Sequence, residues 1–161
     1  MTEVRSEQQQ GPEAVVAAKP SQDECTLAAL AHASMVLNLV GGGFLGILAA
    51  FFIWLTQKEK SAYVGFHALQ ALAFQIAVMA VTILGALIVA LVWISGSLLT
   101  MVLVGCLVLP FAFILTIALL LVPFGGMIYG LVGAYETYYG RDFRYWLVAD
   151  FVSRPESAGS R

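Results

Sequence analysis

The stretch Thr26 to Thr56, TLAALAHASMVLNLVGGGFLGILAAFFIWLT, carries no charged side chain and is interrupted only by three consecutive glycines, Gly41 to Gly43. A bilayer crossing takes roughly 20 apolar residues, so the run is long for one span and short for two. Three glycines cost on the order of 1 kcal/mol each inside a helix relative to alanine, and they permit the positive φ of a tight turn. The stretch therefore reads as a short helical hairpin, with arms at about 23–39 and 44–57.

Outward from this hairpin the same pattern continues. No Asp, Glu, Lys or Arg occurs from Cys25 to Gln57, nor from Ser61 to Tyr135. A charge at the centre of a span costs about 2.5 to 3.5 kcal/mol on insertion scales, which explains both gaps. The chain is 60% hydrophobic and 11% charged, whereas soluble domains hold about 25% charged residues, so a water-soluble fold is excluded. The expected fold class is all-α: a transmembrane helical bundle of four helices with a short first hairpin.

Around the core, residues 1–22 read as a disordered polar tail without the apolar run of a signal peptide. The transmembrane domain is expected over 23–139, with the third and fourth helices at about 63–94 and 98–137. Ser95, Gly96 and Ser97 are expected to turn the chain, and Pro110 and Pro123 to kink or break the fourth helix. Residues 140–152 read as an interfacial aromatic segment and 153–161 as a polar tail. In it, Tyr139, Arg141, Arg144, Tyr145 and Trp146 are candidate interface anchors, since aromatic rings with polar tips favour the headgroup level.

Basic residues set the expected orientation. With a hairpin, the amino tail, Lys58 with Lys60, and Arg141, Arg144, Arg154 and Arg161 all fall on one side, which the positive-inside bias makes cytoplasmic. A three-span alternative, in which Thr26 to Thr56 crosses once, misplaces only Arg5 and Lys19 and stays open.

Polar groups in an apolar span are candidates for function because lipid offers them no partner. His67 and Gln70 share a helix face, with Gln75 at its flank, and His32 lies in the first arm. The candidate polar cluster is His32, His67, Gln70 and Gln75, either a proton or metal site or a set of interhelical hydrogen bonds. Metal sites usually want three or four ligands, and nothing is spaced to complete a set, so neither metal nor other cofactor is implied. Gly42 with Gly46, and Gly126 with Gly130 and Gly133, are candidate helix-packing positions. Cys25 and Cys106 read as packing residues. Glu136 is expected to snorkel to water or to meet Lys58 or Lys60.

Catalytic signatures are absent: no GxSxG, HExxH or P-loop occurs, and no carboxylate pair lies in the spans. Net charge is −2 with no basic stripe, so nucleic acid is not an expected partner.

The run Ile53-Trp-Leu-Thr-Gln-Lys-Glu-Lys-Ser-Ala-Tyr-Val-Gly-Phe-His-Ala-Leu-Gln-Ala-Leu-Ala-Phe-Gln75 resembles the hallmark of the prokaryotic domain of unknown function 4870, itself similar to Tic-twenty of chloroplast import. His32 fits that family's Ala-His element, and Gly140 to Trp146 its closing Gly-x-x-Tyr-Arg-Tyr-Pro pattern. Ala73, Phe143 and Trp146 depart from it, where Asn, Tyr and Pro are usual. The resemblance implies a four-helix membrane domain and little about activity. With packing glycines, an aromatic tail and no active site, the expected role is a non-enzymatic scaffold, assembly or translocation-related component of the plasma membrane, similar to Tic-twenty. The expected partners are the lipid bilayer and another membrane protein or a second copy. A small transporter or channel using the His/Gln cluster is the rival, and a membrane-embedded enzyme the third reading.

Overall fold

A computed structural model describes residues 19–148 and 152. The sequence-based readings of residues 1–18, 149–151 and 153–161 lie outside the described residues. Those described form four α-helices with two short 3-10 segments and no strand: α1 Gln22–Ala33, α2 Leu45–Gln57, α3 Ala62–Leu99 and α4 Gly105–Tyr138. Two helical stretches, Ala62–Val102 and Gly105–Tyr138, are long and apolar enough to cross a membrane, each containing an 18-residue window of mean hydropathy 2.7.

α1 starts in a capping box. The Ser21 hydroxyl accepts from Glu24 N–H while the Glu24 carboxylate accepts from Ser21 N–H, satisfying two N-terminal donors at once. The other Glu24 oxygen accepts from the Ser61 hydroxyl at 2.6 Å, and Ser61 caps α3 by accepting from Val64 N–H. One serine thereby joins the starts of two helices. Glu24 lies outside the charge-free run, and its carboxyl is held below the ordinary value of 4.5, first by the Ser61 hydroxyl and then by Ser21. A carboxylate lowered in the folded state stabilises above its unfolded pKa, and that contribution is lost as pH falls through the folded one. Ser61→Ala should therefore cost about 1 kcal/mol at neutral pH through the lost cap. It should also flatten the fall in melting temperature expected of the wild type between pH 5 and pH 3.

The first arm is not α-helical to 39, as expected, but changes at Ser34 into a 3-10 segment, Ser34–Leu39. Local side chains compete with the regular ladder: Ser34 Oγ contacts the carbonyls of Ala31 and Gly46, and Asn38 Oδ1 accepts from Gly46 N–H at 2.7 Å. The chain then reverses through Gly42 and Gly43, at φ 60° and 92°, where a side chain would be strained. Ala31, Ala50, Ala68 and Ala71 form the seam of α1, α2 and α3, and their small size lets the backbones approach.

The second turn also differs from expectation. Ser95–Ser97 are helical, and the chain reverses at Thr100–Val104, with Leu103 in the left-handed region at φ 65°. Ser95 Oγ donates to Leu91 O, so the hydroxyl satisfies itself on the helix instead of ending it. Gly96 and Gly105 let the two helices close, since a Cβ on Gly105 would collide with Gly96 O. α4 runs without a break through Pro110 and Pro123. It ends in a Schellman motif: Gly140, at φ 71°, donates to Thr137 O, and Arg141 N–H to Glu136 O.

Candidate functional site

The histidines meet inside the bundle. His32, from the last turn of α1, is 1% exposed and His67, from the second turn of α3, is 0% exposed. His32 Nε2 lies 3.5 Å from His67 Nδ1, and His32 Nδ1 lies 2.9 Å from the Tyr145 hydroxyl. Tyr145, expected beside Trp146 at headgroup level, is instead 1% exposed. The segment after Gly140 folds back over the bundle and stacks this ring on Phe74 at 4.0 Å and 6°. Burial, and then Tyr129, raises the phenol pKa, so Tyr145 stays a neutral hydroxyl. Its backbone N–H donates to Gln70 Oε1 at 3.2 Å.

Two tautomer arrangements satisfy these contacts. With the Tyr145 hydroxyl donating to His32 Nδ1, His32 Nε2–H points to His67 Nδ1 and His67 Nε2–H faces Asp142, whose Oδ1 is 3.9 Å away. With His32 Nδ1–H donating to the phenol oxygen, the direction between the rings reverses. Asp142 is 44% exposed and lies 3.6 Å from Arg144 Nη2, whose guanidinium sits over Phe66. A line of proton-bearing groups thus runs from an interior phenol to a carboxylate at the surface. Gln70 Nε2 finds no hydrogen-bond partner among the described residues.

Gln75 does not join this group. Its amide donates to Ser34 Oγ and accepts from Asn38 at 3.1 Å each, forming a second polar knot between α1, the 3-10 segment, α2 and α3. This knot borders a cavity of about 370 Å³ with Met35, Phe44, Met79 and Met127 in its wall. Among the described residues no group of three or more His, Cys, Asp or Glu could hold a metal ion.

The glycines divide as well. Gly126 and Gly130 face Met35 of the first arm, and Gly133 faces Phe143 and the Tyr145 hydroxyl. Gly46 is buried against Ser34, whereas Gly42 lies exposed in the turn, where a Cβ would meet nothing within 4 Å. Tyr139 and Trp146 are 58% and 76% exposed. Glu136 meets neither Lys58 nor Lys60 but pairs with Arg141, each carboxylate oxygen at 3.1 Å, and this raises the Arg141 pKa. Tyr145, Asp142 and Ser34 were not among the residues picked from the sequence for the polar cluster. The only signal was the i, i+4 spacing of Ser34 and Asn38.

No curated protein and no solved structure matches the chain. A family profile does match, over residues 23–152, and it is that of the magnetosome magnetite crystal formation proteins. This overturns the resemblance to domain of unknown function 4870 and Tic-twenty. The motif from Ile53 to Gln75 lies inside the matched range and corresponds to the α2–α3 connection with the packing face of α3, a short element that does not discriminate between small helical membrane proteins. The match covers all four helices and the folded-back segment that carries Tyr145, so the chain belongs to the MamF/MmsF family of magnetosome magnetite crystal formation proteins.

Proposed function

We propose that this protein is a non-catalytic component of the magnetosome membrane that serves magnetite crystal formation by assembly with other membrane proteins or with copies of itself. Its α3–α4 pair crosses and its α1–α2 hairpin enters from the same side and turns back within the membrane, giving four embedded helices with both termini on the cytoplasmic face. The sequence-based placement in the plasma membrane becomes, with the family, a magnetosome-associated one. The observation that carries this reading is that the buried polar side chains bond one another across α1, α3 and the carboxyl-terminal segment, while the outer faces of α2, α3 and α4 are apolar. Such a protein has lipid and protein surfaces to offer, with no nucleic-acid partner and no cofactor.

A second reading is supported by the line Tyr145, His32, His67 and Asp142: proton or cation handling through the bundle. One set of measurements separates the two. Disruption in a magnetite-forming bacterium should shrink or misshape the crystals, and gentle solubilisation should recover the chain with a partner or as an oligomer. Unchanged crystals, or a strictly solitary monomer, would count against assembly. Under the rival, His67→Ala abolishes flux in reconstituted vesicles of a folded protein, whereas under assembly it lowers only thermal stability.

A further inference from the structure

α3 and α4 are longer than an ordinary membrane is thick. At 1.5 Å per residue the 38 residues of α3 reach about 57 Å and the 34 of α4 about 51 Å, against about 30 Å of hydrocarbon. The α1–α2 hairpin accounts for only part of that height. Its turn, at Gly42 and Gly43, shares the lining of one cavity with Val78, Met79, Thr82 and Ile83 of α3 and Pro123 of α4, which places it roughly 30 Å from the start of α3. Beyond this level α3 and α4 continue alone for about 25 Å more, as a two-helix arm. Leu84, Leu87, Leu91, Leu98, Leu107 and Leu121 face outward along it, and no charge occurs from Ser61 to Tyr135.

Two observations bear on what surrounds the arm. Ser95 and Thr116 donate their hydroxyls within their own helices, to Leu91 O and Ala112 O, as suits a medium without water. Trp93 donates its indole N–H to Thr116 Oγ1 at 3.0 Å, between the helices. A tryptophan at headgroup level turns that donor outward to water or lipid. Trp93 is therefore built to lie within hydrocarbon, with more of the arm still beyond it.

We infer that acyl chains cover the arm to its tip, and that the protein is matched to a bilayer thicker than ordinary, which it selects or creates around itself. An ordinary tilt does not remove the excess: at the usual angle of about 20° α3 still rises roughly 54 Å and α4 roughly 48 Å, more than the roughly 40 to 45 Å of a bilayer with its headgroups. The inference rests on the reading that these helices span, and it adds a preference that reading does not contain.

The test uses the full chain in phosphatidylcholine nanodiscs whose monounsaturated acyl chains run from fourteen to twenty-four carbons. A shortened variant lacks residues 86–92 and 112–118, which face each other across the arm, as Gly85 faces Leu119. This removes two turns, about 10 Å, from each helix. Cys106 is an exposed native thiol near the tip, and Cys25 is buried, so an impermeant maleimide reports on the tip alone. The melting temperature of the full chain should rise with acyl length to the longest lipid, with Cys106 protected there and reactive in denaturant. The shortened variant should have its optimum at shorter chains. An inserted protein indifferent to acyl length, an optimum unmoved by the deletion, or rapid labelling of Cys106 in every lipid overturns this proposal alone. Protection that disappears on dilution of the protein overturns it in favour of a second copy covering the arm. Failure to insert, seen as alkaline extraction from every lipid, overturns the spanning reading as well.

Discussion

Gly46→Ala should collapse the α1–α2 hairpin. A Cβ at this position would collide with the Ser34 carbonyl and stand 2.7 Å from both Asn38 Oδ1 and Gln75 Oε1. These atoms cannot retreat cheaply, because Ser34, Asn38 and Gln75 bond one another and the Gly46 backbone. Overpacking costs about 1 to 3 kcal/mol where neighbours can shift, and each buried polar group left without its partner adds about 1 to 3 kcal/mol. The sum is on the order of 4 kcal/mol, which for a chain of this size lowers the melting midpoint by roughly 10 °C. Thermal unfolding in detergent, followed by tryptophan fluorescence, reads the effect. Gly125→Ala is the control, because nothing lies within 4 Å of the added methyl and helix propensity favours it by about 1 kcal/mol. Equal midpoints for the two variants would show that the knot around Ser34 does not hold the hairpin.

Removing the Tyr145 side chain should be as damaging, although it lies outside every helix. Tyr145→Ala empties a site bounded by Phe74, Tyr129, Phe143 and His32, and large-to-small changes of a buried aromatic cost about 3 to 5 kcal/mol. Tyr145→Phe keeps the ring and its stacking but takes from His32 Nδ1 its hydrogen-bond partner, a loss of about 1 to 3 kcal/mol. The ordering wild type, then Phe, then Ala in melting temperature is the expected result. A second readout separates packing from bonding: in His32→Phe, the further change Tyr145→Phe should cost little, since the hydroxyl no longer has a partner. Undiminished loss in that background would place the value of the hydroxyl elsewhere.

Much of the fold was readable from the chain. The charge-free runs, the triple glycine and the polar loop from Gln57 to Ser61 gave four helices in the right order, because hydrophobicity and backbone permissiveness act locally and add up along a segment. Boundaries read from hydroxyls failed. Ser95 and Ser97 read as a helix end, as they are where water competes for the backbone, yet Ser95 satisfies itself on a carbonyl of its own turn. Ser34 was not expected to end one, yet it does, because Gly46 of α2 presents it with a carbonyl. The two prolines left α4 continuous.

The candidate site was half readable. Of the residues polar in lipid, His32 and His67 lie 3.5 Å apart, while Gln70 accepts from the Tyr145 N–H. Gln75, picked on the same ground, belongs to another knot a turn further along α3. Tyr145 was placed at the membrane surface because its neighbours Arg144 and Trp146 belong there. Its burial depends on the reversal at Gly140 and on room made by Gly133.

Composition and charge spacing alone made this a helical protein for lipid, since the cost of burying a charge or exposing an apolar face is set residue by residue. Which polar groups find each other was settled only when α1, α3, α4 and the returning segment came to pack. A hydrogen bond needs two atoms about 3 Å apart, and residues as distant along the chain as His32 and Tyr145 reach that separation only through the register of every element between them.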